Sequence, residues 1–414
     1  MTSPDRSRGH APLVDPFSVV DGQFAVGGIP LGRLAARVGR TPFYAYDRQL
    51  LTNRTSRVRS LLSDRVSLHY AMKANPMPAL VCHMTGIVDG IDVASGRELL
   101  VALDAGADPR EVSFAGPAKT DQELAQAVAA GILVNVESRR ELDILASTSN
   151  RVGLPARVAV RVNPDFELKG SGMKMGGGPK QFGIDAEAVP DVLRAIGERN
   201  LSFEGFHVFA GSQNLRLDAI AEAQAKSYDL VRRLSDFAPS PVRWLNLGGG
   251  FGIPYFPGDA PLDLASAVES LNEIAEASRK DFDDVRVVLE LGRYLVAEAG
   301  VYVCRVLDRK VSRGHPFLIT DGGLHHNLSA SGNFGQVIRR NYPVVVGSRI
   351  ESLETEVASV VGPLCTPLDL LADKMELAVA GPGDLIVVQH SGAYGATASP
   401  QAFLSHPAVV EVLV

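Results

Sequence analysis

Lys73 is the residue around which the chemistry of this chain can be organised. It follows Ser67-Leu68-His69-Tyr70-Ala71-Met72, whose apolar and polar residues alternate as in a strand, and Asn75-Pro76 ends the element just beyond it. A lysine at the carboxyl end of a strand can face the mouth of a barrel; the plain alternative is a surface lysine past a strand end. A second, distant stretch adds to it. Asn246-Leu247-Gly248-Gly249-Gly250-Phe251-Gly252 follows the mostly apolar residues 242–245, and a glycine-rich turn after a strand exposes backbone N–H groups that can hold a phosphate. A lysine and a phosphate cradle together point to pyridoxal 5'-phosphate.

That cofactor makes three demands. A lysine must form the internal aldimine, and Lys73 is assigned to it. An anion cradle must take the phosphate, through the backbone N–H groups of Gly248, Gly249 and Gly250, the hydroxyl of Ser212 and the guanidinium of Arg293. A partner for the pyridine nitrogen sets how strong an electron sink the ring becomes. Glu290 is assigned there, because an opposite charge within a few ångström favours the protonated nitrogen by on the order of one pKa unit or more. A protonated ring stabilises a carbanion at Cα, and loss of an α-carboxylate creates one.

With 414 residues, 46% hydrophobic and 21% charged, the chain has the composition of a globular protein of two domains. A net charge of −6 without a basic cluster argues against nucleic acid or an anionic membrane surface as partner. Met1 to His10 is polar and carries no apolar leader core, and no stretch has the length of a membrane-spanning helix, so a cytoplasmic location is expected. Three cysteines, Cys82, Cys304 and Cys365, have no metal-ligand spacing and make no disulfide framework.

From Pro42 onward, short β-rich runs alternate with amphipathic helical patterns. The runs are 66–70, 90–93, 112–114, 133–136, 156–162, 203–208, 243–247 and 285–290, and between them lie helical stretches such as 97–103 and 121–128, closed near Gly106 and Gly131. Eight such units predict an α/β fold, a (β/α)8 TIM barrel over residues 41–299, with its chemistry at the carboxyl ends of the strands. Those ends carry Lys73; Asp92 with Ser95 and Gly96; Gly116 to Lys119; Glu137; Arg161 with Asn163; His207 followed by Gly211, Ser212 and Gln213; Gly248 to Gly252; and Glu290 with Arg293. Taken singly, Asp92 reads as a helix cap, Glu137 as a solvated carboxylate and His207 as a core residue; their joint placement argues for a site. After Gly300 the strand-like runs 301–307, 316–320, 344–345, 357–361 and 384–388 lack helical partners and predict an antiparallel β-domain over 300–414. Residues 1–40 contribute to it, with 23–28 read as a hairpin belonging to a sheet elsewhere. Gly170 to Pro179 is expected to be a mobile loop between the fifth and sixth strands.

In motifs and their order the chain resembles the fold-type III pyridoxal-phosphate decarboxylases, the family of diaminopimelate and ornithine decarboxylases. The likeness runs from about Pro42 to the end. It rests on Tyr70 to Asn75, Asp92 to Glu98, Arg161 to Asn163, His207 to Gln213, Gly248 to Gly252, Glu290 to Arg293, Gly362 to Cys365 and Gly392 to Gly395. The resemblance implies an alanine-racemase-like barrel with a carboxyl-terminal β-domain, in a head-to-tail homodimer with shared sites. It implies that Asp92, Arg161 and His207 serve the cofactor, that Tyr394 touches its phosphate, and that Cys365 enters from the partner subunit to protonate Cα. Without it, Cys365 reads as a buried structural thiol. Racemases on this barrel place an arginine near the pyridine nitrogen, so Glu290 favours decarboxylation.

Three departures from the family pattern concern the site. Phe209 stands where a second histidine usually packs on the ring; it can stack but cannot donate a hydrogen bond. Thr366 follows Cys365 where an acidic residue commonly holds the substrate's distal amine. After Asp321-Gly322-Gly323 the Arg-Pro-x-x-Tyr stretch of diaminopimelate decarboxylases is missing, and the chain reads Leu324-His325-His326-Asn327, then Arg339-Arg340-Asn341. Substrate contacts are therefore assigned to Arg293, Thr366, Tyr394 and Arg339. Gly362 to Asp369 and Ala71 to Pro78 look most like the exosortase-associated decarboxylases and those acting on carrier-linked amino acids, so the expected substrate is an amino acid, free or carrier-linked. The alternatives are meso-diaminopimelate decarboxylase of lysine biosynthesis, an amino-acid racemase, and a non-catalytic pyridoxal-phosphate carrier, which would have no use for Cys365 and Tyr394.

Overall fold

The computed structural model describes residues 15–167, 173–174, 176–256, 258–334, 336 and 338–414. The chain divides into two compact units, one made of residues 53–253 and 260–294, the other of the remaining segments 1–52, 254–259 and 295–414.

The first unit is the barrel. Its strands are β1 (Val66–Ala71), β2 (Gly90–Val93), β3 (Val112–Phe114), β4 (Leu133–Val136), β5 (Arg157–Asn163), β6 (Ser202–Val208), β7 (Trp244–Gly249) and β8 (Arg286–Leu291). Each pairs in parallel with the next, and β8 returns to β1, so the sheet closes. The crossovers are helical because their sequences start and stop helices. Ser95 caps Gly96–Asp104 by accepting from Glu98 N at 3.2 Å, and Glu98 reaches back to Ala94 N at 2.6 Å. Thr120 and Glu123 form a reciprocal capping box on Asp121–Ala130, which ends at Gly131 with φ 73°.

Leu133, Ala159, Trp244 and Val288 pack as an apolar layer inside this unit. The strands also bear the buried polar side chains His69, Asp92, Ser113, Asn135, Arg161, Asn163, His207, Asn246 and Glu290, at least one on each. A barrel core filled with branched aliphatics would need none of these. Every one must find a partner inside, since an unpaired buried polar group costs about 1–3 kcal/mol.

The second unit is a mostly antiparallel sheet in the order Val344–Val346, Leu385–Val388, Gly300–Ser312, His315–Thr320, Thr355–Val361 and Leu370–Ala378. The contact between His315–Thr320 and Thr355–Val361 is parallel. Phe43–Tyr46, inside the range 41–299 expected for the barrel, instead pairs antiparallel with residues 300–303 and parallel with Val410–Leu413. The boundaries thus fall at 52/53 and 294/295, not at 40/41 and 299/300. Gln23–Val26 and Ile29–Pro30 do form a hairpin, with Ser18–Val20 as a third strand. Phe24, Val26, Leu31 and Leu34 of this segment share one apolar core with Phe43, Val301, Val303, Val345 and Val387.

Of the stretch 170–179, residues 170–172 and 175 lie outside the described residues, as does Met1 to His10; Met173–Lys174 pairs antiparallel with Gly211–Ser212. Among the described residues no helix is long and apolar enough to cross a membrane.

Candidate functional site

Lys73 projects because of the turn that carries it. β1 ends at Ala71, and Met72–Ala74 forms one turn of 3-10 helix in which Met72 and Ala74 are buried. Asn75 Oδ1 accepts from Met77 N at 3.1 Å, closing the turn before Pro78 opens the next helix. The Lys73 side chain is left 42% exposed, its Nζ 3.6 Å from Glu290 Oε1 and 5.5 Å from the centre of the Phe209 ring.

Glu290 lies at the centre of the cluster. Its Oε2 stands 3.2 Å from His207 Nε2 and accepts from Asn246 Nδ2 at 3.3 Å. Burial alone would raise its pKa, but the charge of Lys73, the hydrogen bond and charge of His207 and the charge of Arg161 outweigh that and hold the carboxyl well below the usual carboxylate range. Glu290 is therefore an ionised acid in a dry place. His207 packs edge-on to Phe209 with centroids 6.4 Å apart.

Beside this cluster lies the glycine turn after β7. Gly250 has φ 69°, and a Cβ there would run into the Gly211 carbonyl; one on Gly249 would run into the Glu290 carbonyl. The backbone is bare where an anion would need to approach it. Gly248, expected in the cradle, instead uses its N–H within the turn, donating to Asn246 Oδ1 at 2.8 Å. Arg293 opens the short helix Arg293–Val296 directly after β8.

Asp92 is not a helix cap. Its Oδ1 accepts from Ser113 Oγ at 2.5 Å and lies 3.2 Å from His69 Nδ1, while Asn135 Nδ2 donates to Ser113 Oγ at 3.2 Å, a chain across β1 to β4. Nor is Glu137 solvated: it is buried and paired with Arg161 at 2.8 Å. Glu98, half-buried on the helix after β2, has its carboxyl pushed up by burial against the pull of the Ala94 N–H and of the Lys73 charge. The sequence motif contained Glu98, but nothing in its spacing said that it would stand near Lys73.

The remaining residues belong to the sheet unit. Cys365 is exposed, not the buried thiol its isolated reading suggests. Its loop is braced by the buried Asp369, which accepts from Leu324 N at 2.7 Å and Leu364 N at 2.8 Å, while Thr366 N donates to Leu364 O at 2.8 Å. The bracing role of Asp369, at the end of the stretch from Gly362, has no periodic signal in the sequence. Tyr394 is half-buried with φ 52°, and its carbonyl accepts from Ser329 Oγ at 3.0 Å. Arg339, expected to contact substrate, is drawn into its own unit. Nε donates to Ser331 O at 2.9 Å, one terminal nitrogen to Leu370 O at 2.8 Å and the other to Asn341 Oδ1 at 3.3 Å.

A reachable amine, an ionised carboxylate beside it, an aromatic and an imidazole face, and bare backbone for a phosphate fit the three demands of pyridoxal phosphate. The comparisons agree. Residues 48–297 match the family model described as the pyridoxal-binding domain of pyridoxal-dependent decarboxylases. The chain is 38% identical to the L-glutamyl-[BtrI acyl-carrier protein] decarboxylase of Niallia circulans, covering 90% of this chain and 88% of that protein. It is 34% identical to the diaminopimelate decarboxylase of Aquifex aeolicus, covering 95% and 91%. Among solved structures, the diaminopimelate decarboxylase of M. jannaschii superposes with a TM-score of 0.84 at 26% identity, covering 96% of this chain and 92% of that one. The chain belongs to the pyridoxal-dependent decarboxylases and is a carboxy-lyase that works with pyridoxal phosphate.

Proposed function

We propose that the enzyme removes the α-carboxylate of an amino acid whose distal end is neutral or tethered to a carrier, and that it is not a diaminopimelate decarboxylase. The observation that carries this reading is the engagement of Arg339. A distal ammonium and carboxylate, as in meso-diaminopimelate, each need a partner, because burying either unpaired costs several kcal/mol. Thr366 offers no negative charge. Arg339 is held by Ser331, Leu370 and Asn341, and Arg340 pairs with Asp259 at 3.3 Å and lies over the Phe256 ring at 4.1 Å. The identity to a decarboxylase named for a carrier-bound glutamyl substrate supports the same reading.

The roles follow from chemistry at each atom. Lys73 binds the cofactor through Nζ, Glu290 holds a proton at its ring nitrogen, and His207 and Phe209 flank its ring. Gly249, Gly250, Ser212 and Arg293 take its phosphate, Tyr394 adds a contact there, and Asp92 and Arg161 serve its near surroundings. The bound cofactor supplies the sink for the electron pair left on Cα when CO2 departs. Cys365, exposed on its braced loop, returns a proton to Cα; as in the family, it and Tyr394 come from the second copy of a homodimer, and the enzyme works in the cytoplasm.

Steady-state assays on meso-diaminopimelate, free glutamate and a carrier-bound glutamyl thioester test the substrate reading. We expect kcat/KM to be highest on the thioester and well below about 10⁴ M⁻¹s⁻¹ on meso-diaminopimelate. A value at or above that figure for meso-diaminopimelate overturns the proposal.

A further inference from the structure

The barrel unit holds a second group of buried charges, of which Glu137, Glu141 and Lys119 have no assigned role at the cofactor. Glu137, just past β4, gathers three donors on one carboxylate: Gly116 N at 2.6 Å and an Arg161 terminal nitrogen at 2.8 Å on Oε1, and Gly183 N at 3.0 Å on Oε2. Those donors come from three places, the end of β3, β5 itself, and the residue leading into Ile184–Asp185, which pairs along β5. Gly183 has φ 74°, and a Cβ there would press on the β5 backbone, so the contact needs glycine. Glu137 is fixed in turn from behind. Glu141 Oε2 accepts from Glu137 N at 2.9 Å, and Lys119 Nζ donates to both Glu141 oxygens at 3.1 and 3.2 Å. Lys119 and Arg161 against Glu137 and Glu141 make two positive and two negative charges, a neutral set.

Arg161 connects this set to the site. Its guanidinium lies 5.0 Å over the Phe182 ring, and on the neighbouring strand its register partner is His207, whose Nε2 stands 3.2 Å from Glu290 Oε2; the Arg161 charge also pulls on that carboxyl. Glu137 holds the guanidinium at 2.8 Å, while a second buried carboxylate, Glu290, stands one strand partner further on; in a dry interior a planar fork of donors binds a carboxylate strongly. An arginine released from Glu137 would be drawn to Glu290 and would occupy the acid that the cofactor's ring nitrogen requires. We infer that Glu137 is a positioning residue for Arg161, holding the guanidinium off Glu290, with Lys119 and Glu141 anchoring Glu137. The inference rests on Glu290 being the partner of the ring nitrogen.

The test is a double-mutant cycle on the holoenzyme with Glu137→Gln, Arg161→Gln and the pair. It is read in kcat, in the dissociation constant for pyridoxal phosphate added back to apoenzyme, and in Tm. Contacting charged residues couple by roughly tenfold or more. Glu137→Gln alone should therefore lower kcat about tenfold or more and weaken cofactor binding, while in the Arg161→Gln background it should change either by less than about twofold. Losses that multiply in the double variant, or a lower Tm with kcat and the dissociation constant unchanged, overturn the inference. Should Glu137→Gln fail to fold, Glu137→Asp, which keeps the charge but shortens the reach, must show the kcat loss at near-normal Tm; full kcat overturns it. Glu290→Gln separates the two readings, since unchanged kcat there removes the role of Glu290 itself, whereas a loss there beside an additive cycle removes only that of Glu137.

Discussion

At the end of β3, Lys119 donates to Gly116 O and Asn135 O, each at 2.8 Å, and to Glu141, with 1% of its side chain exposed. Past the end of β1, Lys73 stands 3.6 Å from Glu290 with 42% of its side chain exposed. Both lysines follow strands of one barrel and both face a carboxylate, yet they are built for opposite ends. An ammonium has three donors, and those of Lys119 are all engaged by groups that hold the strand ends together. Burial lowers the Lys119 pKa while Glu141 and Glu137 pull it back, and burial raises that of Glu141, as befits a pair that must neutralise itself. Lys73 keeps a reachable amine. An ion pair at a strand end therefore does not mark a reactive lysine; access to the amine does.

Substitution should separate the two lysines. Lys73→Ala should cost roughly 10⁴-fold or more in turnover with the fold intact, measured as kcat beside an unchanged circular dichroism spectrum. Lys119→Met should instead unfold at lower denaturant, losing about 3–5 kcal/mol because Glu141 is left without its buried ion-pair partner, and the paired change with Glu141→Leu should regain most of it. Glu290→Gln, at the functional pair, should lower kcat by about 10²–10³-fold, or roughly 2–4 kcal/mol, while cofactor still binds to the glycine turn. Unchanged turnover would make Glu290 a structural residue like Glu141.

Acidification sharpens the contrast. The Glu290 pKa in the folded protein lies below its unfolded value of about 4.3. Its ionisation therefore contributes stability that is fully present above that value and drains away as pH falls toward the folded one. The stability gap between wild type and Glu290→Gln should hold steady down to about pH 5 and narrow as pH falls below about 4.3, and a gap that widens on acidification would contradict this. The smallest effect is away from both lysines: Thr120→Ala should cost about 1 kcal/mol through the lost helix cap, with kcat unaltered.

Much of this was legible in the residues. The eight barrel strands lie within two residues of their alternating runs, and the glycine turn and Glu290 stand where their strands end. Phe43–Tyr46 was left inside the barrel range because its strand partners, residues 300–303 and 410–413, lie more than 250 residues away and leave no local signal. Leu370–Ala378 escaped notice because Asp373 and Lys374 interrupt it; Lys374 has φ 47°, and the pairing slips register opposite residues 358–360. Partners such as Lys119 with Glu141 and Glu137 with Arg161 are 22 and 24 residues apart, a spacing set by one strand–helix unit of the barrel and invisible to periodicity within a single element. Arg339 looked available because its partners are mostly backbone carbonyls, which sequence does not reveal.

Which lysine carries the cofactor decides the chemistry of the site. Borohydride reduction of the pyridoxal-phosphate-loaded enzyme, followed by peptide mass mapping, should place the pyridoxyl label on Lys73. Label on Lys119, or on Lys174, would contradict it.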